Sequence, residues 1–448
     1  MSDKKKPTFK LPIHKRRQNG VKMEEKAQTV DQFGPNRLNP EYKTKIVSES
    51  YIGKKGYTIP KNVLHADDLK FLYQDLYLKP ETFNPVVKSQ EDDAFPVYRE
   101  NVNKIYIPRF YGIKRYGMPA KTELHSGDQI DVLFAKDLRD YQDKIIKVYI
   151  DYVDPIGLGG GAILEVPCGR GKTVMALKII SLLKQKTLII VHKEFLMNQW
   201  IERIAEFLPT ATVGKIQGAT FDVDGKDIVI GMLQTLYDRE FVSSDDQAFQ
   251  SFGLTIIDEV HRIGSQQFSK ALVRIHTKYM LGISATVERK DGLTKLLYMF
   301  IGDKIYTEER EDKDPVCVRA IEYSTLDPEF NEPVLDFRGN TQYSSMITKL
   351  CAFGPRTDFI VRVLADLFVE TAKRPQIMVL AHNRSLLTAL YDTITFRNFA
   401  TVGYYVGGMK ENALKMTESK EIVLATYAMA AEALDIKSLS VLLMATPK

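Results

Sequence analysis

Five short runs between residues 131 and 310 constrain the fold more than any other feature of the chain. They read AILEVP, TLIIVH, DIVIGM, LTIIDE and YMLGISAT. Each is apolar, rich in β-branched residues and too short for a helix. Helix-length amphipathic segments such as KEFLMNQWIERIAEFL separate several of them. Strands that are apolar on both faces and linked through helices predict a parallel sheet covered on both sides. In such sheets the chemistry gathers at the carboxyl ends of the strands.

The same layout returns further along. TDFIVRVLADLFVETA predicts a helix, QIMVLAHN a strand, SLLTALYDTI a helix, and VGYYVG, EIVLAT and SVLLMAT three more strands. The boundaries expected are a basic tail over 1–45, an accessory domain over 46–130, a first α/β lobe over 131–310, a linker over 311–345 and a second lobe over 346–448. A length of 448 residues suits such a division, because single cores stop growing well below that size. The charged run YTEEREDKDP is expected to be a solvated hinge between the lobes.

The first lobe carries a phosphate site. In EVPCGRGKT, Gly169 and Gly171 flank Arg170 and lead into Lys172 and Thr173. Glycines let the backbone turn tightly and aim its N–H groups at a phosphate. The helix expected to start near Lys172 adds its positive end. Lys172 reaches for the β- and γ-phosphates, and the Thr173 hydroxyl suits Mg²⁺. Val166 stands where the strict phosphate-loop pattern has glycine. A second element, LTIIDEVH, ends a strand on Asp258 and Glu259. Asp258 is placed to hold Mg²⁺, and Glu259 to orient and deprotonate an attacking water. The cofactors implied are ATP and Mg²⁺.

GKT, DEVH and the Ser284, Ala285, Thr286 triplet resemble motifs I, II and III of the superfamily 2 helicases and translocases, over roughly residues 131–448. The resemblance implies two RecA-like parallel-sheet lobes. In LRDYQ it implies that Gln142 reads the adenine edge, with Arg139 beside it. IVHKEFLMNQW and GMLQTL resemble lobe-one motifs that lie along nucleic acid, the second ending in Thr235. QIMVLAHNR brings Asn383 and Arg384, and LATYAMAAEALDIK brings Thr426 onto the strand and Glu432 and Asp435 into the nucleotide cleft. His261 and the 284–286 triplet would relay the γ-phosphate state to the strand-binding face. SATVERKDG and VHKEFLMNQW are most similar to the branch holding the phage branch-migration, XPB-type and poxvirus transcript-release helicases. The N-terminal segment resembles helicases of large eukaryotic DNA viruses.

Two departures from the family stand out. Ala433 replaces the glycine common in motif V, and the sequence stops at Lys448, where relatives continue into a helix carrying QxxGRxxR. Arginines of that kind stabilise transition-state charge, so the expectation is a chain that binds ATP well and turns it over poorly. The second lobe is accordingly expected to be incomplete.

The leading expectation is an ATP-dependent DNA helicase or translocase in viral replication, repair or transcription. An RNA-directed or transcript-release motor and an ATP-binding nucleic-acid clamp are the alternatives. A P-loop kinase or transporter ATPase is disfavoured, because DEVH is followed by SAT and no LSGGQ occurs.

Composition sets looser bounds. A net charge of +5 permits a nucleic-acid partner without requiring one. Cys168, Cys317 and Cys351 have no CxxC spacing, which argues for a reducing compartment, and no apolar run of membrane-spanning length occurs. The expected place of work is the host cytoplasm or nucleus, or the virion. The cluster HKRRQNGVK could touch nucleic acid, act as a nuclear address or simply be solvated. Arg109, Phe110, Tyr111, Lys114, Arg115 and Tyr116 interleave cations with rings, as a base-stacking surface does. The alternative puts those rings in a core and those cations on the surface.

Overall fold

The computed structural model describes residues 38–81, 94–154, 157–262, 266–289, 291–308, 317–370, 374–433, 436 and 438–447. The basic cluster before residue 38 and most of the charged run at 309–316 lie outside them.

The five runs form strands as their pattern predicts. They are β1 (Gly161–Glu165), β2 (Thr187–Val191), β4 (Ile228–Met232), β5 (Leu254–Asp258) and β6 (Tyr279–Ser284). β3 (Val213–Gln217) and β7 (Asp303–Thr307) extend the sheet, and a short strand at Thr220–Phe221 edges it. The order is Thr220–Phe221, β3, β4, β2, β5, β6, β1, β7, and every pairing among β1 to β7 is parallel.

The two faces of this sheet enter different cores. Leu188, Ile190, Val229 and Ile257 point to one side, while Ile189, Val191, Ile228, Ile230 and Ile256 point to the other. This is the period-two alternation of a strand acting on a sheet buried on both faces. Helices α1 (Lys172–Leu183) and α2 (Glu194–Phe207) cover the second face. On α2 the buried residues Met197, Trp200 and Ile204 recur at helical spacing.

The first face is covered in part by the N-terminal region. Its five-stranded sheet runs Arg99–Glu100, Lys104–Ile107, Gly56–Pro60, Tyr51–Gly53, Lys121–Thr122. Ile46, Tyr57 and Tyr111 share one continuous hydrophobic core with Val229, Met299 and Phe300 of the first lobe. Ile46 belongs to a helix, Pro40–Glu49, that begins inside the stretch read from sequence as tail.

The segment read as strand-like, with its rings either stacking on bases or lying in a core, differs in part. Lys104–Ile107 is a strand, but Arg109–Tyr116 is a helix with Arg109, Tyr111, Gly112, Arg115 and Tyr116 buried. The rings are core, and two of the cations are buried with them. Arg115 pairs with Asp68 at 2.5 Å, and the Tyr116 hydroxyl donates to the same carboxylate at 2.8 Å. Arg109 is 1% exposed and donates to the carbonyls of Thr277, Lys278 and Gly159 at 3.0, 3.0 and 3.1 Å. Burial lowers its pKa to about 10, which leaves it charged at neutral pH. Neither residue is available to stack on a base.

The second lobe is smaller. Strands β8 (Gln376–Ala381), β9 (Val402–Tyr405), β10 (Ile422–Thr426) and β11 (Leu439–Met444) pair in parallel in the order β9, β10, β8, β11. Helices α3 (Gly354–Glu370) and α4 (Arg384–Arg397) pack on them. Both lobes are thus parallel α/β sheets of the RecA-like kind. No helix among the described residues is long and apolar enough to cross a membrane.

Candidate nucleotide and strand-binding site

The carboxyl edge of the first sheet gathers the predicted chemistry. β1 ends at Glu165 and the chain turns through the glycine loop into α1. Gly169 and Gly171 have φ of 81° and 80°, in the left-handed region that favours glycine. A Cβ on Gly171 would also lie 2.4 Å from the Gln142 amide nitrogen. Lys172 and Thr173 open the helix, so the loop sits over its positive end.

Gln142 braces this loop. Its Nε2 donates to the Arg170 carbonyl at 3.0 Å, and its Oε1 accepts from the Arg139 backbone N–H at 3.0 Å. Tyr141 donates to the same Arg170 carbonyl at 3.1 Å, and the Arg170 guanidinium stacks 3.7 Å above the Tyr141 ring. The side chain is 4% exposed and holds the loop through one hydrogen bond at each end of its amide. Arg139 donates to the Tyr141 hydroxyl at 3.0 Å.

Asp258 ends β5 and Glu259 follows it. Glu259 has φ of 51°, unusual for a residue with a side chain. Such a conformation costs roughly 1–2 kcal/mol and is often found at functional sites. It turns the chain so that Glu259, His261 and Ser284 meet. His261 Nδ1 lies 2.7 Å from Ser284 Oγ and 3.3 Å from Glu259 Oε2. Ser284 Oγ lies 3.4 Å from the same Glu259 oxygen and donates to the Thr286 carbonyl at 2.6 Å. The Lys172 ammonium is 3.4 Å from Glu259 Oε1. Motifs I, II and III therefore converge on one carboxylate. Ala285, between Ser284 and Thr286, makes the turn without a polar group of its own.

Asp258 is 6% exposed. Burial, followed by the adjacent Glu259 charge, raises its pKa to about 6, against the opposing pull of Trp200 and Lys172. Trp200 Nε1 donates to Asp258 Oδ2 at 2.8 Å. Sequence reading assigned Trp200 only to a strand-contacting motif and missed this contact. The available signal was the helical spacing of Met197, Trp200 and Ile204, which puts the indole on the buried face.

Asp258 and Thr173 fit a divalent cation. A carboxylate made costly by burial and by a like charge is stabilised by one. Among the described residues no group of three His, Cys, Asp or Glu side chains could hold a metal by itself.

Other predicted residues are less concentrated. Thr235 Oγ1 accepts from the Gly218 N–H at 2.9 Å, in a helix that follows β4. In the second lobe Thr426 ends β10, and Asn383 caps α4. Arg384 donates to the Gly407 carbonyl. Glu432 falls in helix Tyr427–Ala433, but its side chain, like the whole of Asp435, lies outside the described residues. Lys415 of the second lobe pairs with Glu202 of the first, and Phe195 packs against the second lobe's core.

Comparison with known proteins agrees with this geometry. Residues 135–289 match the family model described as type III restriction enzyme, res subunit. A protein of Acanthamoeba polyphaga mimivirus, named as an ATP-dependent RNA helicase, is 35% identical over 409 residues, covering 89% of this chain and 76% of that one. An African swine fever virus protein with the same kind of name is 28% identical over 69% of this chain and 63% of its own length. A DNA 3′-5′ translocase of Sulfurisphaera tokodaii is 31% identical over 209 residues, 46% of this chain and 44% of that one. With three motifs meeting at one carboxylate and a relative aligned over most of both lobes, the chain belongs to the ATP-dependent helicases of superfamily 2.

Proposed function

We propose that the chain couples ATP hydrolysis to movement along DNA, with Lys172, Thr173, Asp258 and Glu259 as its hydrolytic residues. The observation that carries the reading is the contact set around Glu259, which joins Lys172, His261 and Ser284 within 3.4 Å. Lys172 and the N-terminus of α1 bind the β- and γ-phosphates. Thr173 and Asp258 hold Mg²⁺, which supplies charge neutralisation on the phosphate oxygens. Glu259 takes a proton from water as its oxygen bonds to the γ-phosphorus and the bond to the ADP oxygen breaks.

Coupling follows from shared contacts. Phosphate taken up by Lys172 competes with its ion pair to Glu259. That frees the carboxylate to change its partners, His261 and Ser284. Ser284 ends β6 and reaches the Thr286 carbonyl, so the change passes into the segment after the sheet. Thr235, Arg384 and Thr426 grip the strand at its phosphates, a contact that tolerates any sequence and weakens with salt.

DNA is favoured by the motif resemblance to branch-migration and XPB-type motors and by the archaeal relative named as a DNA translocase. A second reading, movement on RNA, is favoured by the names of the two viral relatives. We place the work inside the infected cell, in the cytoplasm or nucleus. The test is the ATPase rate with no polymer, with DNA and with RNA. Stimulation by DNA above RNA is expected. Equal or greater stimulation by RNA removes the DNA assignment, and no response to either polymer removes the motor.

A further inference from the structure

A cleft of about 220 Å³ opens between the N-terminal region and the first lobe. It lies at the amino edge of the sheet, because Phe249 and Phe252 precede β5 and His276 precedes β6. The nucleotide site is at the opposite edge, about 17 Å away across a five-residue strand.

Its chemistry is one-sided. Lys54, Lys55 and Arg99 approach from the N-terminal sheet and Arg274 from the lobe. None of the four makes an ion pair among the described residues. Glu123 lines the same cleft but pairs with Lys121 at 2.8 Å. Arg99 and Arg274 lie close enough that burial and mutual repulsion lower the Arg99 pKa. Unpaired cations held together make a site suited to an anion.

One further feature favours nucleic acid. The chain links the cleft to the strand path proposed above. The helix that carries Thr235, Leu233–Asp238, leads through Arg239 to Phe241 on the cleft. Arg239 and Arg274 both stack on the Phe241 ring, at 5.5 and 5.3 Å. Six helical and three extended residues span roughly 19 Å, about the height of the sheet.

We propose that this cleft is a second phosphate-binding site for the nucleic acid, continuing the strand path from Thr235 around the first lobe to the N-terminal region. It rests on the helicase reading. It also explains what the N-terminal sheet contributes, which is half of a polyanion site that neither part has alone.

The test is binding of a fluorescein-labelled oligodeoxynucleotide, read by anisotropy from about 50 to about 200 mM salt, for the wild-type chain, R99A/R274A and K54A/K55A. Each double variant should lose roughly tenfold or more in affinity at low salt. Its slope of log affinity against log salt should be shallower by about 1–2, one counterion term for each lost phosphate contact. R99K/R274K, which keeps the charge, should retain most of the slope. The exposed turn at Lys54 and Lys55 guards against an effect of misfolding. Wild-type affinity and slope in both double variants overturn the site. A parallel titration with inorganic tripolyphosphate separates the sources of phosphate. If R99A/R274A loses tripolyphosphate but binds the oligonucleotide normally, the cleft holds a free phosphate compound and the assignment to nucleic acid fails. If the wild-type chain binds no oligonucleotide, the helicase reading itself fails and takes the proposal with it.

Discussion

The two edges of the first lobe's sheet solve opposite problems with similar groups. At the carboxyl edge, Lys172, Asp258, Glu259, His261 and Ser284 hold one another in long or shared contacts, and Glu259 sits in a costly backbone conformation. At the amino edge, Arg109 is equally charged and more deeply buried, and its two terminal nitrogens are held by backbone carbonyls while its Nε has no partner among the described residues. The first arrangement has partners to exchange and the second has none. A charge meant to move is left with competing contacts, whereas a charge meant to fasten two parts is held by backbone that cannot move away.

Substitution can break that contrast from either side. The largest effect is expected at the exchanging edge. Glu259→Gln keeps the shape and removes the base, so turnover should fall about 10²- to 10⁴-fold, while a fluorescent ATP analogue still binds. Normal turnover would put the base elsewhere. Arg109→Met tests the fastened edge. It keeps much of the volume but leaves buried carbonyls unpaired, a loss of about 3 kcal/mol or more. The chain should unfold at a lower temperature, while nucleotide affinity measured below that temperature stays unchanged. A thermal profile like that of the wild type would mean that Arg109 fastens nothing. Trp200→Phe lies between the two. It keeps an aromatic ring in the core and removes the indole N–H from Asp258, and should weaken Mg-dependent nucleotide binding about tenfold, near the lower end of the range for one charge-assisted hydrogen bond. Affinity for nucleotide without Mg²⁺ should change little, and an equal loss under both conditions would point to general damage rather than to Asp258.

What the sequence disclosed divides along the same line. The strands, the glycine loop and the DEVH and SAT segments were legible because each is local. Their periodicity and turn chemistry lie within ten residues. Contacts made across the fold were not. Trp200 and Asp258 come from different segments, and nothing local to either announces the hydrogen bond. The run from Arg109 to Tyr116 was read as strand-like with surface cations or a stacking face, and its rings prove to be core on a helix that also buries Arg109 and Arg115. The spacing of 109, 112 and 116, and of 111 and 115, carries the helical period that the structure uses. Gln142 shows a further limit. The family resemblance implies a role in nucleotide binding, but only the fold shows its amide bracing the loop through Arg170 and Arg139. The shared core between the N-terminal sheet and the lobe was hidden too, since each side reads as a complete amphipathic surface until the other is placed against it.

Trp200 is the only tryptophan in the chain, and its indole nitrogen is bonded to the carboxylate assigned to the metal. The protein therefore carries a native optical probe at its catalytic centre. Near-ultraviolet emission from this single fluorophore reports the electrostatic state of Asp258 without a label, and stopped-flow traces of it follow Mg²⁺ and nucleotide arrival in real time.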